Sequence, residues 1–307
     1  MRIVVSEFMD APGLVAMRAV HDVLYEPTLV DHPVRLRGLA AEADALVVRN
    51  RTQVRGELLA SLRHCKAVGR LGVGLDNIDV PACRARGIAV IPATGANARS
   101  VAEYVVTAAM LLLRGAYGSS AEVAAGRWPR EALSGGREIG GKTMGLVGFG
   151  SIGRVTAALA QGIGMRVTAC DAALASSDAA YAAADVDAAS LDEIVARADV
   201  VSIHVPLLDS TRNLFDADRI ATMKRGAVLI NAARGGIVDE AALVAALKSG
   251  QLSGAALDVF ATEPLGADNV FAGCPNLLLT PHIAGPSAEA NARVSLLIAE
   301  KVLEALR

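Results

Sequence analysis

The most constraining stretch of this chain is residues 143–153, where an apolar strand runs directly into the glycine pattern G-x-G-x-x-G. The glycines are Gly148, Gly150 and Gly153. The first permits a tight turn, the second lets a pyrophosphate approach the backbone, and the third lets the next helix pack closely on the strand. The pattern predicts a dinucleotide-binding turn; the alternative is an ordinary turn between a strand and a helix.

An acidic residue at a suitable distance supports the first interpretation. The next strand, Arg166–Cys170, ends at Asp171, which lies 18 residues after the last glycine. A carboxylate there accepts hydrogen bonds from both ribose hydroxyls of an adenosine. It also repels a 2′-phosphate, and residues 172–175 include no arginine to bind one. The sequence therefore predicts NAD, rather than NADP, as the cofactor.

Short apolar runs alternate with helical stretches along nearly the whole chain. The candidate strands are Ile3–Ser6, Ala45–Val48, Ala67–Arg70, Ala89–Ile91, Thr143–Val147, Arg166–Cys170, Val200–His204, Ala227–Asn231, Gly254–Asp258 and Leu277–Thr280. Continuous apolar character is typical of strands buried on both faces of a parallel sheet. The pattern predicts a doubly wound α/β fold. Residues 115–142 lack a clear period and are interpreted as a connection at or near a domain junction, the alternative being a mobile surface loop.

Composition excludes several classes of protein. The 307 residues suggest two domains at roughly 150 residues each. A net charge of −2 argues against a dedicated nucleic-acid binder. The apolar run Tyr104–Leu113 is about half the length of a membrane-spanning helix, so we expect no membrane partner. We also expect no metal, because no His, Cys and acid cluster has ligand spacing.

The cysteines and the N-terminus bear on the cellular compartment. Four cysteines lie far apart without C-x-x-C spacing, as is usual for thiols in a reducing environment. The first residues begin a strand and show no apolar signal-peptide region. We therefore expect a cytoplasmic protein.

Three polar segments follow predicted strands. They are Asn231–Gly236, Asp258–Pro264 and Thr280–Gly285. In doubly wound sheets ligands bind beyond the carboxyl ends of the strands, so these segments can face one crevice.

These three segments, together with Gly140–Gly153, Gly69–Asp79 and Arg99–Glu103, resemble the D-isomer-specific 2-hydroxyacid dehydrogenase family. The similarity runs from about residue 40 to the C-terminus. It implies a Rossmann-type NAD-binding domain (98–282) inserted into a flavodoxin-like substrate domain (1–97 plus 283–307), with the active site in the cleft between them. It also implies a homodimer. Because the sequence ends at Arg307, we expect no C-terminal regulatory domain.

The resemblance assigns three catalytic residues. Hydride transfer to a 2-oxo carbon needs a proton donor for the carbonyl oxygen, and histidine suits that task near neutral pH. His282 matches the acid/base, and Glu263 matches the carboxylate that orients it and favours imidazolium. Arg234 matches the guanidinium that binds the substrate carboxylate. Taken singly, each residue has an alternative interpretation. His282 can be a surface or capping residue, Glu263 a solvated loop acid, and Arg234 a partner in a salt bridge at a helix end.

The resemblance also assigns binding residues. Asp258 is expected to bind the nicotinamide carboxamide. The cofactor contacts are Val73, Gly148, Gly150, Ser151, Ile152, Gly153, Asp171, Val205, Pro206, Ala232, Ala233, Arg234, Asp258, His282 and Gly285. The substrate contacts are Arg49, Leu71, Gly72, Val73, Gly74, Arg234 and His282. We interpret His204, on a buried-looking strand, as structural, and give His21, His32 and His64 no role.

Arg49 suggests a substrate with a second anion. In phosphoglycerate dehydrogenases a similar segment reaches the substrate phosphate, and Arg51 lies on the same side if the chain stays extended. The candidate substrates are 3-phosphoglycerate and (S)-3-sulfolactate. The alternative is that Arg49 and Arg51 are solvated loop residues without a binding role. A glyoxylate or hydroxypyruvate reductase and a non-enzymatic NAD-sensing regulator remain alternative functions. A formate dehydrogenase of the same fold is disfavoured, because it lacks the Glu-His arrangement that is present here.

Overall fold

The computed structural model describes all 307 residues and divides the chain into two compact units. Unit 1 comprises Met1–Asn97 and Pro286–Arg307, and unit 2 comprises Ala98–Gly285. The second boundary follows Gly285 rather than residue 282. The reason is that the backbone N–H groups of Ile283 and Ala284 donate to the Asp258 carboxylate, which holds both residues in unit 2.

Unit 1 contains a five-stranded parallel sheet in the order β2-β1-β3-β4-β5, the flavodoxin-like order. Its strands are β1 (Arg2–Val5), β2 (Asp22–Tyr25), β3 (Ala45–Val48), β4 (Ala67–Arg70) and β5 (Ala89–Pro92). Its helices are α1 (Ala11–Arg18), α2 (Pro33–Ala40), α3 (Gly56–Ser61), α4 (Val80–Ala85) and the C-terminal α12 (Ala288–Ala305).

Helix α12 completes one of the two cores of unit 1. Its residues Val294, Ile298 and Val302 are buried in the same cluster as strand residues of β1, β3 and β4. A side chain at Gly69 of β4 would lie 2.8 Å from methyl groups of both Ile298 and Val302, so only glycine lets the helix approach so closely. The N-terminal residues therefore share their core with the last helix of the chain.

Unit 2 contains a seven-stranded parallel sheet in the order β12-β11-β10-β9-β6-β7-β8, the Rossmann order with one additional strand. Its strands are β6 (Thr143–Val147), β7 (Arg166–Cys170), β8 (Asp187–Ala188), β9 (Val200–Ile203), β10 (Ala227–Asn231), β11 (Leu252–Leu257) and β12 (Leu277–Leu279). Its helices are α5 (Ala98–Arg114), α6 (Ser120–Ala124), α7 (Ser151–Gly162), α8 (Ala179–Ala183), α9 (Leu191–Arg197), α10 (Ala217–Thr222) and α11 (Glu240–Ser249). The predicted fold class is confirmed.

Local chemistry explains where several helices of unit 2 begin and end. The side chain of Ser190 accepts a hydrogen bond from the N–H of Glu193, and the Glu193 carboxylate binds back to Ser190, which closes a capping box at the start of α9. Asp239 caps α11 in the same sense, and Gly250 ends that helix in the left-handed conformation at φ 71°.

The structure differs from the sequence interpretation in three further places. Strands β2 (four residues) and β8 (two residues) lie at sheet edges and were not predicted, although the edge strands β5 and β12 were. Residues 115–142 lie inside unit 2, between α5 and β6, and not at a junction. His204 lies just beyond β9 rather than on it, since Pro206 has no N–H with which to continue the ladder. No helix is both long and apolar enough to cross a membrane.

Candidate functional site

The glycine-rich turn between β6 and α7 has a backbone that only glycine allows at two positions. Gly148 has φ 103°, and an added side chain would lie 2.6 Å from the carbonyl oxygen of His204. A side chain at Gly153 would lie 2.4 Å from the Gly148 oxygen. Gly150 caps α7 and faces open space, and Ser151 begins the helix. Such a cradle fits a pyrophosphate at a helix N-terminus.

Asp171 follows β7 and ties the glycine-rich turn to the next loop. One carboxylate oxygen accepts the N–H of Phe149 at 2.8 Å, and the other accepts the N–H of Ala173 at 2.8 Å. A cavity of about 440 Å³ opens beside Asp171, with Tyr181 and Glu193 also on its wall. The wall includes no arginine or lysine. Its size and two acids suit an adenosine with free ribose hydroxyls.

His282 and Glu263 form a hydrogen-bonded pair beyond β11 and β12. The Nδ1 atom of His282 lies 2.7 Å from Oε2 of Glu263, while Oε1 accepts the backbone N–H of Phe260 at 2.9 Å. The imidazole is about half exposed, at 47% of its side-chain surface. A carboxylate that fixes Nδ1 leaves Nε2 to exchange a proton with a ligand.

The segment that carries His282 is built around Asp258, which is buried. The Oδ1 atom of Asp258 accepts from the Thr280 hydroxyl at 2.6 Å and from the N–H of Ile283 at 2.8 Å. Its Oδ2 atom accepts the N–H of Ala284 at 2.8 Å. Its backbone oxygen accepts the N–H of His282 at 2.8 Å. The sequence predicted a cofactor contact for Asp258 but not its role in holding the segment that carries His282.

Arg234 lies in a turn after β10 that a buried asparagine shapes. The Asn231 side chain accepts the N–H of Ala233 at 3.0 Å and donates to the Arg234 carbonyl at 2.9 Å. A side chain on Gly235 would lie 1.8 Å from the carbonyl oxygen of Phe260. The Arg234 turn therefore contacts the segment that leads to Glu263, and Gly235 makes that approach possible. Asn231 was missed because its role rests on backbone partners.

The remaining predicted residues of unit 2 lie at the same ends of the strands. Val205 and Pro206 follow β9, Ala232 follows β10, and Gly285 ends the unit. His204 bonds to Ser202 through Nε2 at 3.0 Å, and burial lowers its pKa to about 4. His204 is therefore neutral at physiological pH, which agrees with a structural role.

In unit 1, a buried acid organises the Arg49 segment. Both carboxylate oxygens of Glu7 accept backbone N–H groups, from Arg49 at 2.8 Å and from Arg51 and Thr52 at 3.0 Å. Burial raises the pKa of Glu7, but these donors outweigh it and the net pKa is lowered. Sequence reasoning missed Glu7, since its partners lie about forty residues away and are backbone groups.

The turn around Glu7 separates the two arginines. The Arg49 guanidinium lies 5.5 Å from the ring centre of Phe8 and donates to Asn291 at 3.0 Å. Burial lowers the pKa of Arg49, yet a guanidinium remains charged. Arg51 instead forms an ion pair with Asp31. The expected extended alternation is wrong, because Glu7 bends the chain between the two residues.

The predicted substrate loop, residues 71–74, follows β4 beside the Arg49 segment. The N–H of Leu71 donates to the Val48 carbonyl at 2.8 Å, which joins this loop to the end of β3. Gly72 has φ 151°, and a side chain there would collide with the Arg70 guanidinium. Val73 and Gly74 complete the loop. Neither unit contains a group of three His, Cys, Asp or Glu residues that could hold a metal ion.

Three comparisons place this geometry among known proteins. A family model described as "D-isomer specific 2-hydroxyacid dehydrogenase, NAD binding domain" matches residues 106–284. The chain is 51% identical to the (S)-sulfolactate dehydrogenase of Chromohalobacter salexigens, over 99% of this chain and 98% of that protein. It is 42% identical to the D-3-phosphoglycerate dehydrogenase of Mycobacterium leprae, over 90% of this chain but only 52% of that protein.

The chain thus spans about half the length of that phosphoglycerate dehydrogenase. Among solved structures, a protein from Thermus thermophilus, TT0316, superposes with a TM-score of 0.87 at 31% identity. That match covers 100% of this chain and 97% of the other.

Proposed function

Since the chain belongs to the D-isomer-specific 2-hydroxyacid dehydrogenase family, we propose that its substrate is a D-2-hydroxy acid with a second anionic group, either (S)-3-sulfolactate or 3-phosphoglycerate. The chain is an NAD-dependent oxidoreductase that interconverts 2-hydroxy and 2-oxo acids. The paired side chains of His282 and Glu263, 2.7 Å apart, carry the catalytic part of the proposal.

The proposed chemistry assigns one task to each side chain. NADH, when bound, would supply the hydride for C2 of the 2-oxo acid, and the carbonyl oxygen would then need a proton. His282 donates that proton from Nε2 while Glu263 holds Nδ1 and stabilises the imidazolium. Arg234 binds the substrate carboxylate with its planar guanidinium. In the oxidation direction His282 accepts the proton instead.

The cofactor is held by groups of unit 2 in this proposal. The pyrophosphate lies at the glycine-rich turn and the N-terminus of α7. Asp171 would accept hydrogen bonds from the adenosine ribose, and the Asp258 carboxylate would bind the nicotinamide carboxamide. The fit rests on the cradle that side chains at Gly148 and Gly153 would fill.

A mutation at the proposed acid tests this chemistry. His282→Ala should lower kcat by on the order of 100-fold or more, the usual scale for losing a general acid. The dissociation constant of NADH should change little, because its proposed pyrophosphate and adenosine contacts remain. Near-normal turnover of the variant would show that another group moves the proton.

Arg49 supports the second anion. The Arg49 guanidinium contacts the Phe8 ring and Asn291 and also interacts with the charge of Glu7, whereas Arg51 forms an ion pair with Asp31. The identity to a sulfolactate dehydrogenase over nearly the full length of both proteins points in the same direction. A sulfonate and a phosphate both accept charge-assisted hydrogen bonds from a guanidinium.

The two arginines offer a matched test of the substrate. Initial rates with NAD are compared for D-lactate, D-glycerate, 3-phosphoglycerate and (S)-sulfolactate. Arg49→Ala should cost about 1.5–3 kcal/mol, roughly ten- to hundred-fold in kcat/KM, for the two substrates with a second anion only. Arg51→Ala is the control and should behave like the parent. An equal loss for D-lactate, or no loss for any substrate, would contradict the assignment.

The same assay separates the alternatives. Turnover of hydroxypyruvate or glyoxylate with NADH, without turnover of any substrate bearing a second anion, would make the protein a reductase of small 2-oxo acids. NADH binding without any turnover would instead identify a non-enzymatic regulator.

The proposal also includes a cytoplasmic homodimer. The four cysteines are free thiols, as a reducing compartment allows. In unit 2, the large aromatic side chain of Trp128 is 76% exposed, and tryptophan is enriched among the residues that anchor protein interfaces. Trp128→Ser should weaken the dimer in sedimentation velocity, whereas Val20→Ser in unit 1 should not. A monomeric parent at micromolar concentration would contradict the dimer.

A further inference from the structure

The backbone at His282 adopts a conformation that side chains rarely tolerate. Its φ is 58°, in the left-handed region that favours glycine. Such a residue persists only where the surroundings hold it, and residues of this kind cluster at functional sites. At His282 the turn determines where the imidazole points.

Asp258 holds this turn from inside, and helix α5 holds it from outside. The Tyr104 hydroxyl lies 2.7 Å from the Thr280 hydroxyl, and the Ser100 hydroxyl donates to the Ala284 carbonyl at 2.9 Å. Ser100 and Tyr104 are four residues apart and so lie on one face of the helix. They bind the turn two residues before His282 and two residues after it.

The direction of the Tyr104 hydrogen bond follows from proton counting. A threonine hydroxyl has one proton, and Thr280 donates it to Asp258 at 2.6 Å. Tyr104 must then be the donor to Thr280. Burial raises the pKa of Tyr104, which keeps the phenol protonated and able to donate. The result is a directed chain from Tyr104 through Thr280 to Asp258.

We propose that Tyr104 and Ser100 are positioning residues that clamp the His282 turn onto helix α5 and thereby aim the imidazole for proton transfer. This inference rests on the proposed role of His282. Neither residue needs to touch the substrate. The clamp acts on proton transfer, so it should affect kcat more than the KM for NADH.

Tyr104→Phe and Thr280→Val each remove one hydroxyl of the chain from Tyr104 through Thr280 to Asp258 with little change of side-chain shape. Tyr104→Phe should lower kcat by about 3- to 10-fold, the change expected when the net contribution of one neutral hydrogen bond to holding the His282 turn is lost. Thr280→Val should lower kcat further, because it also removes a donor to Asp258. Thr280→Ser keeps the hydroxyl and should therefore retain the parental kcat. The KM for NADH should stay constant in Tyr104→Phe and Thr280→Ser, and Tyr25→Phe in unit 1 is the control.

A spectroscopic signal keeps the test independent of turnover. The proton between Nδ1 of His282 and Glu263 should give a downfield proton NMR resonance, assigned by its absence in His282→Ala. The resonance should weaken or vanish in Tyr104→Phe and remain in Tyr25→Phe and Thr280→Ser. Parental kcat and an unchanged resonance in both Tyr104→Phe and Thr280→Val would overturn the clamp, even if Tm falls.

Failure of the clamp and failure of the proposed function are distinguishable. High turnover in His282→Ala overturns the assigned acid, whereas an inactive His282→Ala beside parental Tyr104→Phe and Thr280→Val overturns only the clamp. The NMR resonance reports on the turn in either case.

Discussion

At the scale of single residues, buried acids that bind backbone N–H groups shape both units. Glu7 accepts three such groups and is 4% exposed, and Asp258 accepts two. A carboxylate can hold a turn in this way because each oxygen accepts more than one hydrogen bond. Glu7 therefore fixes the backbone that carries Arg49, and Asp258 fixes the turn that carries His282.

The stability of unit 1 should depend on the charge of Glu7. Its pKa is lowered on folding, so its contribution is present above the unfolded pKa and is lost as the pH falls through the folded pKa. Glu7→Gln should cost about 1–3 kcal/mol of unfolding free energy at pH 7. The difference from the parent should shrink as the pH falls below the ordinary glutamate pKa of 4.5. Urea unfolding at each pH measures it, and a constant difference would refute the assignment.

Asp171 should influence cofactor affinity in two ways. Asp171→Ala removes the proposed acceptor for the ribose. It also removes the acceptor of the Phe149 N–H, which belongs to the glycine-rich turn. We expect the KM for NADH to rise by about tenfold, as for a lost charge-assisted hydrogen bond, and the preference over NADPH to narrow. Asp171→Asn keeps one acceptor and removes the charge, so it isolates repulsion of the 2′-phosphate. A parent that already prefers NADPH by kcat/KM would contradict this interpretation.

At the scale of elements, replacing glycine by alanine should have opposite effects on stability at two positions of helix α7. An alanine in a helix is normally favoured over glycine by about 1 kcal/mol. That gain should appear for Gly162→Ala, since nothing lies within 4 Å of the added carbon. Gly153→Ala should instead lower Tm, because the carbon would lie 2.4 Å from a backbone oxygen. Thermal unfolding of the two variants checks the contrast, and equal Tm values would refute it.

Most elements were predictable because their signals are local. The strand before the glycines and the spacing to Asp171 can be seen within thirty residues. The two-residue β8 carries too little pattern to detect, and it pairs only at the sheet edge. Arg51 was misplaced because the bend that turns it away depends on Glu7, a residue far away in sequence. Contacts between distant segments, such as Tyr104 with Thr280, leave no periodic signal.

At the scale of the whole molecule, the two units differ in how their cores are assembled. Unit 2 draws both of its clusters from residues 98–285 alone. Unit 1 combines the first ninety-seven residues with α12, whose Ile298 and Val302 are fully buried. A continuous segment therefore encodes one unit, and two separated segments encode the other.

Fragments should reflect this difference. Residues 98–285 should unfold cooperatively and bind NADH without catalysing turnover. Residues 1–97 alone should fail to fold, because removal of α12 uncovers one face of their sheet. Joining them to residues 286–307 through a flexible linker should restore a cooperative transition. Circular dichroism and NADH fluorescence measure these outcomes, and a folded 1–97 fragment would refute the dependence on α12.

The separation of β1 from α12 also affects how the protein folds during its synthesis. Helix α12 leaves the ribosome only after the about 190 residues of unit 2, and at roughly 5–20 residues per second that takes roughly 10–40 s. During this interval Ile3, Val5 and Val47 have no α12 to cover them, although the cofactor-binding unit can already fold. We therefore expect the apolar face of the nascent N-terminal segment to stay uncovered until α12 has been synthesised.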